Sequence, residues 1–332
     1  MEFSSLIAYM KKKPNQKIRT IFLGTPEFGV SCLEALVQSD FFDLVAVISQ
    51  PDKPVGRRQE LLSPAIKTTA QKYHLPVHQP IKIKTETELI KKLDPELIVV
   101  VAYGQIIPES ILAIPRFGCI NVHGSLLPRY RGAACLQAAI INGDRYSGIT
   151  VMQMDKGLDT GPILARKKIK LAKEETIDSL HDKLSLVGAK LLIKTLKRYI
   201  NGRLKAKPQS EDGASYVKMI KKEAGHLDWT KSATAIERQI RAFNPWPGSY
   251  GFLSNHKLKL NKVMFKILAV RSDPIKVNSH PIGQIFLHNS ALAVQCGQNS
   301  LVIIKLQLEG KRAMEVDEFL RGNNTIIGSI LE

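Results

Sequence analysis

Short apolar runs alternate with amphipathic stretches through the first half of the chain. The runs Ile18–Leu23, Leu44–Ser49, Leu97–Tyr103, Cys119–His123 and Ile149–Met154 have the length and content of buried strands. Between them, apolar positions recur at helical spacing over Phe28–Gln38, Pro64–Tyr73, Thr85–Leu93 and Ala133–Ile141. This alternation predicts an open α/β domain whose parallel-rich sheet is covered on both faces. After Thr176, the positions Ile177, Leu180, Leu184, Val187, Leu191 and Leu192 predict one long helix that stops at Asn201-Gly202. The stretch Lys205–Ser215 has no apolar periodicity and reads as a linker. Beyond Gly225 the pattern changes to a helix near Ala233–Phe243 and then short β-like runs at Lys257–Leu260, Met264–Val270, Gly283–Phe286, Leu292–Gln295 and Leu301–Leu306. Several short strands with one helix suggest a small β-barrel, the oligonucleotide-binding barrel being one candidate.

Composition adds a partner to this picture. The 332 residues carry 48 Lys and Arg against 30 Asp and Glu, a net charge of +18, while 44% hydrophobic and 23% charged residues exclude a mostly disordered chain. That length favours two domains. No apolar run reaches the ~18 residues needed to cross a bilayer, so no membrane partner is expected. An excess of cations suits a polyanion, most simply nucleic acid, through release of condensed counterions, although a generally basic composition gives the same sum. The most basic stretch lies between Lys190 and Lys222, with ten Lys or Arg and two acids, Glu211 and Asp212. Cys32, Cys119, Cys135 and Cys296 are widely spaced without a C-x-x-C pair, which argues against a zinc knuckle or disulfide framework and fits a reducing cytoplasm. At the N-terminus the apolar Leu6–Tyr9 precedes Lys11–Lys13, the reverse of a secretory signal, so residues 1–16 read as a disordered extension.

Three segments could carry chemistry. In Gly118-Cys-Ile-Asn121-Val-His123-Gly-Ser-Leu-Leu-Pro128, strand alternation puts Asn121 and His123 on one face near a strand's carboxyl end, where open α/β sheets bind their ligands. An Asn amide can donate to a developing oxyanion, and a His can donate or accept; a turn residue and a capped structural histidine would look the same. The Gly-bracketed loop Met154-Asp-Lys-Gly157-Leu-Asp159-Thr-Gly161 supplies a carboxylate, Asp159 with Asp155 as its competitor, that could favour the charged imidazole and orient it. The loop Gln50-Pro-Asp52-Lys53-Pro-Val-Gly56-Arg57-Arg58-Gln-Glu60 carries three cations and could grip phosphate or a base pair, or simply be solvated. By contrast, Gly24-Thr-Pro-Glu-Phe-Gly29 lacks both the P-loop ending and the dinucleotide-binding spacing and reads as a tight strand-to-helix turn.

From about Lys17 to its C-terminus the chain resembles the methionyl-tRNA formyltransferases. The resemblance rests on Leu23-Gly-Thr-Pro-Glu-Phe28, Gln50-Pro-Asp-Lys-Pro54, Val101-Ala-Tyr-Gly104, Asn121-Val-His-Gly-Ser-Leu-Leu-Pro128 with Arg131-Gly132, Met152-Gln-Met-Asp-Lys-Gly-Leu-Asp-Thr-Gly161, and Phe243-Asn-Pro-Trp-Pro-Gly248. It implies a Rossmann-like catalytic domain over residues 17–204, a basic linker over 205–224, and a tRNA-binding C-terminal barrel over 225–332 that resembles an oligonucleotide-binding fold. The implied reaction moves a formyl group from 10-formyltetrahydrofolate, without a metal, to the α-amino group of methionyl initiator tRNA. Carried onto this chain, the catalytic residues are Asn121, His123 and Asp159, and Ser125, Leu126, Leu127 and Pro128 lie against the folate. Lys53, Arg57 and Arg58 belong to an inserted loop that enters the acceptor stem, and Lys205, Lys207, Lys311 and Arg312 bind tRNA backbone. The chain departs from the family in three places: Arg58-Gln59-Glu60 follows Arg57 where Gly and Lys are usual, Cys135 replaces a common Pro, and the extension before Lys17 has no counterpart. An amino-sugar or glycinamide ribonucleotide formyltransferase, a formyltetrahydrofolate hydrolase and a non-catalytic tRNA-binding module are the rival readings. No pattern demands a dimer, so a monomer is expected.

Overall fold

The computed structural model describes residues 16–55, 59–255 and 260–332. These form two compact units. The first comprises the described residues up to Gly132 together with 147–169 and 181–217; the second comprises 133–146, 170–180 and 218–332.

In chain order the strands associated with the first unit are β1 (Ile18–Gly24), β2 (Phe42–Ile48), β3 (Lys53–Val55), β4 (Glu60–Leu62), β5 (Val77–His78), β6 (Leu97–Val101), β7 (Cys119–His123), β8 (Arg131–Gly132), β9 (Tyr146–Gln153), β10 (Ile163–Lys170) and β11 (Tyr216–Val217). Seven of them make one sheet in the order β10-β9-β7-β6-β1-β2-β5. The pairings β2–β5, β1–β2, β1–β6 and β6–β7 are parallel, with Val100 opposite Asn121. β9 runs antiparallel to β7, so Thr150 stands opposite His123. The strand expected at Ile149–Met154 thus exists, within β9, but runs against its neighbour β7. Edge strand β10 was not expected: its Arg166, Lys167, Lys168 and Lys170 mask the apolar signal, and such charges protect an exposed sheet edge.

β6 is buried along its whole length, as the central position of a sheet covered on both sides requires. One core cluster joins Ile21, Leu23, Ile48, Ile98, Tyr103 and Ile111. The long helix Ile177–Ile200 is fixed to the turn after β1 through Ser185 Oγ, which donates to the Phe28 carbonyl at 3.0 Å. The hairpin β3–β4 is anchored at its base by Asp52, whose carboxylate accepts from Lys67 Nζ at 2.7 Å, Gln79 Nε2 at 2.8 Å and Ser63 Oγ at 3.1 Å. The hydrogen bonds from Gln79 and Lys67 hold that carboxyl below the ordinary Asp range. Asp52 therefore braces the loop from within.

In the second unit, β12 (Ser249–Asn255), β13 (Leu260–Val270), β14 (Ile285–His288), β15 (Ala291–Gln295), β16 (Ser300–Leu308), β17 (Met314–Glu315) and β18 (Ile330–Leu331) form an antiparallel sheet in the order β14-β15-β16-β13-β12-β18, with β17 on β16. A bridge between Gln284 and Ile330 and the bond from Leu331 N–H to the Gly283 carbonyl bring the two ends together into a nearly closed barrel. Its core gathers Trp229, Phe265, Leu301, Phe319 and, from helix Ala233–Phe243, Ile236 and Ile240. Ser232 caps that helix by accepting from the Ala235 N–H. Most of the strand expected at Lys257–Leu260 lies outside the described residues. All four cysteines are free and buried, and burial pushes the thiols of Cys32, Cys119 and Cys296 up to about 12.

Candidate active site

Strand β7 places Asn121 and His123 on the same face, and the loop between β9 and β10 brings Asp159 to them. Asn121 Nδ2 donates to Asp159 Oδ1 at 3.3 Å, and His123 Nδ1 lies 3.5 Å from Asp159 Oδ2. The same Oδ2 accepts from the backbone N–H of Gly132 at 2.8 Å. One carboxylate is therefore shared by a side-chain amide, an imidazole and a main-chain donor.

The loop that carries Asp159 is built by its neighbours. Asp155, the sequence competitor, accepts from Gly157 N–H at 3.0 Å and Thr160 Oγ1 at 2.7 Å, so its carboxylate is used in shaping the turn. A Cβ on Gly161 would lie 1.9 Å from the Gln153 carbonyl oxygen, which explains the second glycine of the bracket. Asp159 itself has φ 54°, in the left-handed region that Asp adopts more readily than most residues with a side chain.

The imidazole of His123 is held from both of its nitrogens. His123 Nε2 is 2.9 Å from the Tyr130 carbonyl, which can only accept, so Nε2 carries a hydrogen. Nδ1 faces the Asp159 carboxylate, a second acceptor. The two contacts fix the plane of the ring. Asn121 is half-buried, and the second hydrogen on Nδ2 has no acceptor among the described residues.

Around this center lies a buried arginine not assigned a role by sequence reasoning. Arg131 has a side chain with no exposed surface; its guanidinium meets Glu211 at 2.9 and 3.1 Å, Gln209 Oε1 at 3.1 and 3.2 Å, and the Tyr216 hydroxyl at 2.8 Å. Gln209 Nε2 in turn donates to the carbonyls of Asp159 at 2.7 Å and Gly161 at 2.8 Å. The residues read as linker are thus bonded into the first unit: Lys207 pairs with Ile163, Ser215 bonds to Pro128, Tyr130 and Arg131, and β11 lies parallel to β8. A Gln and an acid among Lys and Pro carry no periodic signal, but their return after a signature arginine is the feature that could have marked them.

The remaining expected residues fall as follows. Ser125 is buried and its Oγ donates to the Arg129 carbonyl at 2.6 Å; Leu127 is buried, with its N–H on Thr150 Oγ1 and its carbonyl on Arg166. Leu126 and Pro128 keep partial exposure, so they are the members of this turn with side-chain surface to offer. Lys53 Nζ bonds back to Gln50 Oε1 at 2.8 Å. Arg57 and Arg58 lie outside the described residues. Lys205 and Lys207 are exposed in the first unit; in the second, Lys311 is exposed and Arg312 is paired with Glu318. Cys135 is buried at the start of helix Cys135–Ile141. Among the described residues no group of three or more His, Cys, Asp or Glu could hold a metal ion, and no helix is long and apolar enough to cross a membrane.

Comparison with known proteins gives the same site a context. A family model described as formyl transferase matches residues 16–196, and one described as formyl transferase, C-terminal domain, matches residues 219–324. A methionyl-tRNA formyltransferase of Geobacter sulfurreducens is 43% identical over 308 residues, 92% of this chain and 94% of that protein. One from Caldanaerobacter subterraneus subsp. tengcongensis is 42% identical over 318 residues, covering 95% of this chain and all of that one. Among solved structures, an N-formyltransferase from Helicobacter canadensis in complex with folinic acid and dTDP-3-aminofucose superposes with a TM-score of 0.62 at 22% identity, covering 86% of this chain and 99% of that one. HypX from Aquifex aeolicus superposes with a TM-score of 0.60 at 16% identity over 92% of this chain and 48% of its own. The last two likenesses concern the fold.

Proposed function

The chain belongs to the methionyl-tRNA formyltransferase family, and we propose that Asn121, His123 and Asp159 are the groups through which it formylates methionyl initiator tRNA from 10-formyltetrahydrofolate. The observation that carries this reading is the single carboxylate of Asp159 shared by Asn121, His123 and the Gly132 N–H. When bound, the folate supplies an electrophilic formyl carbon. The methionyl amine attacks it, the new C–N bond forms, the bond to folate nitrogen breaks, and the amine proton must leave.

Each side chain answers one of these demands. Negative charge gathers on the formyl oxygen, and Asn121 offers the hydrogen that Asp159 does not take. One such preorganised donor lowers a barrier by roughly 3 kcal/mol. His123, its ring fixed at Nε2 by the Tyr130 carbonyl and only loosely engaged at Nδ1 by Asp159 at 3.5 Å, turns a hydrogen on Nδ1 to the same oxygen. Asp159 orients His123 and aids transfer of the amine proton, through water, toward the departing folate nitrogen. The Ser125–Pro128 turn, braced by Thr150 and Arg166, is a rigid wall for the folate, with Leu126 and Pro128 as its contact surface. Arg57, which follows β3 in the sequence, reads the acceptor stem with Lys53 and Arg58, while Lys205, Lys207, Lys311 and Arg312 meet phosphates and carry no sequence information. The compartment that goes with this reading is the cytoplasm.

An assay with labelled 10-formyltetrahydrofolate and charged initiator tRNA, charged elongator tRNA or buffer tests the whole reading. Formylmethionine should form with the initiator; formate released in buffer alone would indicate a hydrolase, and no turnover a binding module. In the same assay Arg57→Ala should lower initiator-over-elongator discrimination by about tenfold, because the readout of an easily opened first position of the acceptor stem is lost. Equal losses with both tRNAs would reduce Arg57 to a phosphate contact.

A further inference from the structure

Asp159 is gripped at two ends. Its carboxylate is held by the Gly132 N–H at 2.8 Å, and its own carbonyl by Gln209 Nε2 at 2.7 Å, with the Gly161 carbonyl bound by the same nitrogen at 2.8 Å. We propose that Gln209 is a positioning residue for formyl transfer, holding the Asp159 turn in its left-handed conformation and tying it to the buried Arg131. This rests on the reading of Asp159 as part of the catalytic apparatus.

The chemistry singles out an amide at this position. Arg131 can only donate and the two backbone carbonyls can only accept, so the Gln209 oxygen must face Arg131 and its nitrogen must face the turn. A carboxylate could serve Arg131 but would confront two carbonyl oxygens. A cation could serve the carbonyls but would confront the guanidinium. Only an amide satisfies both sides, and Asn is one methylene too short to span them.

The bridge is also stiff. Arg131 is buried and bonded to Gln209 and to the Tyr216 hydroxyl, Ser215 accepts its backbone N–H at 2.8 Å, and the next residue in the chain is Gly132, which holds the Asp159 carboxylate. Gln209 therefore closes a ring: Asp159 carbonyl, Gln209 amide, Arg131 side chain, Arg131–Gly132 backbone, Asp159 carboxylate. Releasing one link lets Asp159 relax from φ 54° and carries its carboxylate away from His123 and Asn121. Glu211 lies outside that ring. Its 78% exposed side chain neutralises Arg131 from the surface without touching the Asp159 turn.

The test compares Gln209→Ala, Gln209→Glu, Glu211→Gln and Asp159→Ala in full-length protein, with thermal unfolding measured for each and assays run well below every midpoint. For Gln209→Ala, kcat should fall by about 10- to 100-fold, the scale of an ångström-level misplacement, with KM for methionyl-tRNA and for 10-formyltetrahydrofolate each within about twofold. Gln209→Glu should be at least as impaired although it keeps the acceptor for Arg131, and Glu211→Gln should stay within about threefold of the parent. A Gln209→Glu enzyme with parental kcat, or losses confined to KM, would overturn the proposal. If Asp159→Ala is inactive while both Gln209 variants keep parental kcat, the positioning role fails and the catalytic reading stands; if Asp159→Ala keeps parental kcat, the catalytic reading itself fails.

Discussion

Asp159→Ala and His123→Ala should each lower kcat by about a thousandfold or more while leaving methionyl-tRNA affinity nearly unchanged. The size follows from what each change removes. Loss of Asp159 takes away the acceptor facing His123 Nδ1 and the partner of Asn121 Nδ2 together, so on the proposed reading an oriented imidazole, an oriented amide and a proton path are lost in one substitution. Positioned acid–base groups contribute about 10² to 10⁴ in rate, and an oxyanion donor about 10² to 10³. The effects of residues acting as a unit are not additive, so the double variant should be little worse than either single one. Single-turnover formylation with saturating initiator tRNA measures the first quantity, and a filter-binding titration the second. A large loss of tRNA affinity with the chemical step intact would make these side chains tRNA contacts instead.

Gly132→Ala should both destabilise and inactivate the protein. Gly132 has φ 103°, and a Cβ there would lie 2.3 Å from the Val217 carbonyl oxygen. The new methyl group must push β8 from β11 or flatten its own backbone, which by the usual cost of strained dihedrals and overpacking amounts to about 3 kcal/mol. Either response moves the N–H that holds Asp159 Oδ2. Gly213→Ala is the matched control. Its φ of 73° is likewise positive, but nothing lies within 4 Å of the added carbon, so only the backbone cost of about 1 kcal/mol applies and kcat should hold. Denaturant unfolding and kcat measured side by side decide the matter: parental stability and turnover in Gly132→Ala would remove Gly132 from the site.

Where the sequence could be read, the signal was short range. Asn121 and His123 were legible because a five-residue strand imposes period two, and Asp159 because glycines bracketed it; the competing Asp155 needed coordinates, since both acids suit a turn. Gln209 was illegible because, apart from Arg131, its partners are two main-chain carbonyls, Asp159 and Gly161, and main-chain acceptors leave no mark on composition. The first barrel strand was missed for a different reason. Along Ser249–Asn255 the small Ser249 and Gly251 face inward with Leu253, while Tyr250 and Phe252 stay half-exposed and pack with His226. That strand inverts the pattern on which strand reading depends. Helix Val316–Asn323 was hidden by its length, with just Val316 and Phe319 buried.

The four buried cysteines have a practical consequence. A thiol raised to about 12, or simply shut away from solvent, reacts with an alkylating reagent chiefly when the structure around it opens. Cys32 and Cys119 belong to the sheet unit, Cys135 and Cys296 to the other. The native chain thus carries built-in clocks: timed alkylation followed by peptide mass spectrometry would read the opening rate of each unit separately, with and without tRNA, in a protein bearing no introduced label.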